Sequence, residues 1–176
     1  NVNLSAKAVM GVAAFGQILK ALGQPDAEEY AERARIMGAS WLKRADAGDH
    51  SSLTFDGQGW SQKYNLVWDR MLGFGLFPKE VAEKELAAYR QVAMPFGLAL
   101  DSRKSYTKTD WEFWSGALTG KRADLDFITD LVWRYANETP DRNPFPDWYW
   151  ANNARVRGFL GRSVIGGVFM PVLAEK

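Results

Sequence analysis

Segments that are apolar almost all round alternate with segments that are apolar on one side only, and the alternation recurs three times. Residues 4–22 space Leu4, Ala8, Val12, Phe15, Leu19 and Leu22 at helical intervals, with Ala6, Met10, Ala13 and Gly16 on the opposite face. Such a helix needs cover on nearly every side and is expected to be buried. Asn3 reads as its N-cap and Gly23 as its stop. The next segment opens at Pro25, a good first helical position, and turns Tyr30, Ala34, Met37 and Trp41 inward. The pattern returns at residues 60–71, an apolar helix through Trp60, Tyr64, Val67, Trp68 and Met71. An amphipathic helix follows from Pro78, with Ala82, Leu86, Tyr89 and Ala93 inward. A third pair covers residues 110–118 and 123–135. The tail, residues 159–173, is apolar but interrupted by Gly166-Gly167. Only residues 53–55 and 98–100 leave room for short strands.

Inner helices touched on both sides and outer helices touched on one are what a layered helical array requires. The expected fold is all-α: about three helical hairpins plus a closing helix, one domain over residues 1–176. A closed toroid of six hairpins would need nearly twice as many helices, so the array reads as part of an (α/α) toroid in a larger protein. At 176 residues, 47% hydrophobic and 24% charged, the chain has an ordinary globular composition. Lys and Arg number 22 against 21 Asp and Glu, which gives no ground for a nucleic-acid or anionic-membrane partner. No leader is evident at the start, and no run approaches ~18 uninterrupted apolar residues, so no membrane span is expected.

The absence of Cys removes disulfides, thiolate zinc sites and cysteine nucleophiles. A single His, His50, removes any multi-histidine metal site. Gly57-Gln58-Gly59 and Gly73-Phe74-Gly75 lack the spacing of a nucleotide-binding loop. Asp124, Asp126 and Asp130 lie in the first turns of a helix, where acids complement the dipole. No metal or cofactor is expected, and chemistry must rest on carboxylates, Lys, Tyr, Ser or Thr.

Polar residues concentrate in the connections before the inner helices, which share one rim in a hairpin array. Residues 101–110 hold Asp101 and Asp110, the cations Arg103, Lys104 and Lys108, four Ser or Thr, and Tyr106. Arg103 suits a forked grip on a substrate carboxylate, while Lys104 and Tyr106 suit proton transfer or activation of a hydroxyl. The expected catalytic residues are Asp69, Asp110 and Lys104. Arg103, Asp101, Tyr106, Trp60 and Trp111 are expected to bind substrate, the Trp residues as a wall. Structural roles stand beside these. Thr109 and Glu112 fit a capping box, with Asp110 a first-turn acid, and Asp69 fits an ion pair with Arg70.

Several runs carry a resemblance. They are Gly59-Trp60-Ser61-Gln62-Lys63-Tyr64-Asn65 leading to Trp68-Asp69-Arg70, and Leu100-Asp101-Ser102-Arg103-Lys104-Ser105-Tyr106-Thr107-Lys108-Thr109-Asp110-Trp111. With Asn137-Glu138-Thr139-Pro140-Asp141-Arg142, Pro146-Asp147-Trp148-Tyr149 and residues 162–169, they resemble the glutaminase A family of fungi and bacteria. The start, Asn3-Leu4-Ser5-Ala6-Lys7-Ala8, is similar as well, and the likeness covers essentially the whole chain. It corresponds to the C-terminal part of the family's helical domain. The resemblance implies conversion of L-glutamine to L-glutamate and ammonia by a larger, exported protein with a β-rich N-terminal region. The implied partners are a small-molecule substrate and those upstream domains. It supplies no catalytic assignment, so the site residues rest on the polar run itself. A carbohydrate-active hydrolase of the α/α toroid type and a non-catalytic helical module remain alternatives, since fold alone does not choose among them. Self-association is expected if the first helix keeps an uncovered flank.

Overall fold

Two long helices, α1 (Val2–Ala21) and α2 (Ala27–Ala45), form the first hairpin. The computed structural model describes residues 1–141 and 143–175, so Arg142 of the third polar connection lies outside the described residues. A 3-10 turn (Tyr64–Leu66) leads into a short α3 (Val67–Leu72), followed by α4 (Lys79–Val92). The third pair is α5 (Thr109–Gly116) and α6 (Arg122–Glu138). The tail runs through a 3-10 segment (Ser163–Phe169) into α7 (Met170–Ala174). Strands β1 (Tyr106–Lys108) and β2 (Trp148–Trp150) pair antiparallel, Tyr106 opposite Trp150 and Lys108 opposite Trp148. The molecule is an all-α helical hairpin array with this one small ribbon among the described residues.

The small face of α1 is the buried one. Val2, Ala6, Val9, Met10, Ala13 and Gly16 pack inward, whereas Leu4, Phe15, Ile18 and Leu22 are exposed, Leu22 by 66%. Close approach favours this: a Cβ at Gly16 would lie 3.2 Å from the Ala31 backbone nitrogen of α2, so a larger residue there would push the helices apart by a few tenths of an ångström. Asn1, not Asn3, caps the helix by accepting the Leu4 N–H at 3.1 Å. Asn3 is buried and accepts the Asn65 N–H instead. By length and composition α1 is apolar enough to cross a membrane, which a search for uninterrupted apolar runs passes over; here its inner face belongs to the core.

The second inner helix, α3, is much shorter than its periodicity predicts. Residues 60–62 are extended, because their backbone is spoken for: Trp60 bridges Ser52, Ser61 bridges Asp101, and the Gln62 N–H donates to the Leu100 carbonyl at 2.8 Å. The capping box does not form either. Thr109 is the first residue of α5 and donates its hydroxyl to the Pro146 carbonyl, while Glu112 turns to the Leu98 N–H and Tyr149. The tail is α-helical only over Met170–Ala174, and the strands fall at neither of the two expected places. Trp41, Leu66, Val67, Leu86, Leu98 and Ile128 anchor the main core, each aliphatic side chain worth ~1.5–3 kcal/mol of burial. A second cluster centres on Tyr135 and Tyr149, whose rings stack 3.6 Å apart.

Candidate functional site

Backbone pairing draws the polar connections together. Ser61 bridges Asp101, flanked by the Gln62 N–H to Leu100 carbonyl bond and by the Ser102 N–H to Trp60 carbonyl bond at 3.0 Å. The third connection joins through β1 and β2 and through the Thr109 N–H, which donates to the Asp147 carbonyl at 2.8 Å. A cavity of about 170 Å³ opens beside this seam. Asp101, Arg103, Tyr106 and Trp111 line it together with Ser61 and Tyr64, and the first turn of α1 closes it through Asn1, Asn3 and Leu4. Four of the eight expected site residues therefore share one hollow.

Asp101 and Arg103 form a forked pair, with Nε to Oδ1 at 3.0 Å and Nη2 to Oδ2 at 2.7 Å. Burial pushes the Asp101 carboxyl up, but the guanidinium and the Arg103 N–H outweigh it and hold the group below the ordinary carboxylate range. The arginine side chain keeps 65% exposure, so its outer face is free to meet a second carboxylate. Tyr64 lies flat on Trp111, centroids 4.4 Å apart, and burial raises its hydroxyl to about 12.

Asp110 starts α5 next to Trp111 and is 6% exposed. Burial lifts its carboxyl to about 6, with Lys108 lowering it and the Asp147 charge raising it. The tail lies directly over it: a Cβ at Gly167 would come within 2.6 Å of the Asp110 Cβ, and the Trp114 indole N–H donates to the Gly167 carbonyl. Lys108 binds Asp147 at 2.9 Å, with the rings of Trp111, Trp148 and Phe159 5.3 to 6.0 Å away.

The other expected residues lie elsewhere. Asp69 is buried but faces the loop after α3, where its two oxygens accept the Leu76 and Phe77 N–H groups at 3.0 and 3.1 Å. Arg70 does not pair with it and donates to the Ala117 carbonyl. Lys104 is exposed on its loop, Trp60 is half-buried against the core, and His50 pairs with Asp49. A larger hollow, about 330 Å³, opens among the connections that follow α3 and α5; its charged lining includes Glu83 and Lys121, which pair with each other. Among the described residues, no three His, Asp or Glu side chains gather as a metal-ligand set.

Two residues at the cavity edge escaped the sequence reading. Ser61 lines the hollow, and Lys63 is fully buried behind it. The Lys63 ammonium donates to the Ser51 carbonyl at 2.9 Å, the Ser61 carbonyl at 2.8 Å and the Ser61 Oγ at 3.0 Å. Burial pulls its pKa down to about 8, against the opposing charges of Glu85 and Asp101. An extended backbone puts residues two apart on one side, so the pair was legible only if this stretch was not read as helix.

Residues 1–172 match the family model of the glutaminase A six helical-hairpin domain. The chain belongs to the glutaminase A family. It is 31% identical to "Glutaminase A" of Aspergillus oryzae over 95% of its own length and 25% of that protein. It is 26% identical to "Probable glutaminase" of Arthroderma benhamiae over 99% of its length and 24% of that protein. The chain thus spans about a quarter of the curated relatives it matches. Within this glutaminase A family chain, the cavity between Asp101, Arg103 and the Tyr64–Trp111 stack is where small size, opposite charges and an aromatic wall coincide.

Proposed function

We propose that this chain carries the substrate-holding part of an amidohydrolase that splits the side-chain amide of L-glutamine to L-glutamate and ammonia. The observation that carries the reading is the Asp101–Arg103 pair on the wall of a small cavity. An α-amino acid bears an ammonium and a carboxylate on one carbon. Asp101 meets the first and the outer edge of Arg103 forks onto the second. Tyr106 and the Tyr64–Trp111 stack flank the methylenes. Asp110, close enough for its charge to act on Tyr64, adds negative potential for the ammonium once it ionises.

At about 170 Å³ the hollow falls below the ~300–1,000 Å³ of pockets for drug-sized ligands, which favours an amino acid over an oligosaccharide. The glutaminase names of the two fungal relatives support this choice. The test is ammonia release from L-glutamine, with L-asparagine and an oligosaccharide as comparison substrates. It is run on this chain alone and on the protein as the cell makes it. Arg103→Ala is expected to raise KM about 10- to 100-fold with little change in kcat. New reducing ends from the oligosaccharide, without ammonia from glutamine, would hand the cavity to carbohydrate chemistry.

A further inference from the structure

The glutaminase reading places a substrate in the cavity but leaves open what attacks the amide. Lys104 is exposed, Ser102 Oγ accepts the Trp60 N–H, Thr107 is buried against the Gln62 amide, and none of Ser102, Ser105 and Thr107 lines the cavity. The serine that does line the hollow is Ser61, and it has a lysine at hydrogen-bond distance.

We propose, resting on that reading, that Ser61 is the nucleophile and Lys63 its general base, a serine–lysine dyad set into the cavity wall. The geometry of the lysine nitrogen supports this. It has three partners: two backbone carbonyls, which can only accept, and the Ser61 hydroxyl, which alone can donate. A neutral amine has two N–H donors and one lone pair. As an ammonium it donates to all three partners; once neutral, its two N–H groups keep the carbonyls of Ser51 and Ser61 and its lone pair accepts the Ser61 O–H. Among the described residues no carboxylate forms a salt bridge with Lys63, and only the more distant charges of Glu85 and Asp101 favour its charged form. Burial in the same place favours the neutral form near pH 8, so the base is available close to neutrality.

The step balances with water as the second reactant. Ser61 Oγ bonds to the amide carbon as its proton passes to Lys63. The carbon–nitrogen bond breaks while the leaving nitrogen takes that proton, and ammonia departs from an ester on Ser61. Water then adds to the ester carbon and gives a proton to Lys63. The carbon–oxygen bond to Ser61 breaks as the serine recovers its proton, releasing glutamate.

The experiment compares wild type, Ser61→Ala and Lys63→Met for ammonia release from L-glutamine, with melting curves to show that each variant is folded. Ser61→Ala is expected to lower kcat by ~10³-fold or more, and Lys63→Met by ~10²–10⁴-fold. Acid quenching of wild type during turnover is expected to trap the glutamyl ester on the peptide containing Ser61, which a merely structural serine would not yield. kcat/KM should rise with pH through about 8. Glu85 from α4 and Asp101 from the second connection are the charges that act on this lysine, and the Tyr89 hydroxyl accepts its backbone N–H. Wild-type rates from Ser61→Ala would overturn the dyad and leave the glutaminase reading standing. If wild type releases no ammonia, the glutaminase reading falls first. A sulfonyl fluoride then decides the dyad: labelling of Ser61 that is lost in Lys63→Met supports an activated serine, and no labelling overturns it.

Discussion

Glu112 has no exposed surface, yet its carboxyl sits among groups that suit a neutral acid. Oε1 accepts the Leu98 N–H at 2.7 Å, and Oε2 lies 2.7 Å from the Tyr149 hydroxyl, which also reaches the Phe96 carbonyl at 2.9 Å. Tyr149 has one hydrogen for two acceptors. A protonated Glu112 resolves this by donating to Tyr149, which passes its own hydrogen to Phe96. Burial raises the Glu112 pKa to about 8, so between the unfolded value near 4.5 and about 8 the folded chain holds the extra proton. Its stability should therefore fall as pH rises through that window. Glu112→Gln keeps a donor for Tyr149 and an acceptor for Leu98, and denaturation midpoints across pH 5 to 8.5 should show a flatter slope than wild type. A methyl group at Gly97 would meet Tyr149 Oη at 2.7 Å and Glu112 Oε1 at 2.8 Å. Gly97→Ala is expected to cost ~1–3 kcal/mol in urea unfolding. Behind the cavity-lining Tyr64 and Trp111, burial lifts the Asp110 carboxyl to about 6, so KM for glutamine should rise as pH falls below that value. Asp110→Asn should remove this pH step. Buried ionisable groups such as Glu112 and Lys63 were illegible in the sequence because a polar residue counts as outward unless its partners are known. Those partners, Tyr149 and Ser51, come from other segments.

Among the elements, α2, α4 and α6 follow their amphipathic patterns closely, since one wet face and one dry face fix both the helix and its orientation. The apolar inner segments were harder to read. A stretch such as residues 60–71 places Ser61, Gln62, Asn65 and Asp69 at helical spacing among its aromatics, yet tertiary pairing keeps its first part extended. The cavity was half legible: residues 101–111 gave it away by composition, but Ser61, Tyr64 and Asn3 come from elements whose shape had to be seen. Asp69 illustrates the opposite error, a carboxylate that stands out in an apolar helix and turns out to tie down a loop. Its two bonds fix the entry to α4, and Asp69→Ala should destabilise the chain by ~2–4 kcal/mol while leaving KM for glutamine within a few-fold. Thermal melts beside ammonia kinetics check both halves.

At the scale of the whole molecule, one side is left uncovered. Leu4, Ala8, Gly11, Phe15, Ile18 and Leu22 follow one another along α1 at alternating intervals of four and three and are all exposed, a stripe shaped to receive another helix. The chain by itself is expected to self-associate through this stripe. Sedimentation should show weight-average mass rising with concentration, and Ile18→Lys with Leu22→Glu should keep it monomeric.

The seam between Ser61 and Asp101, closed at its far side by the first turn of α1, also governs when the cavity comes into being. Its walls come from the first turn of α1, the middle of the chain and the start of α5. None of these approaches the others until several long loops have closed, each at a cost in chain entropy. Helical hairpins form early from local contacts, whereas pairings between distant segments arrive late. During refolding, helical signal should accordingly recover well before substrate binding does, and the hollow belongs to the last cooperative step by which the chain becomes native.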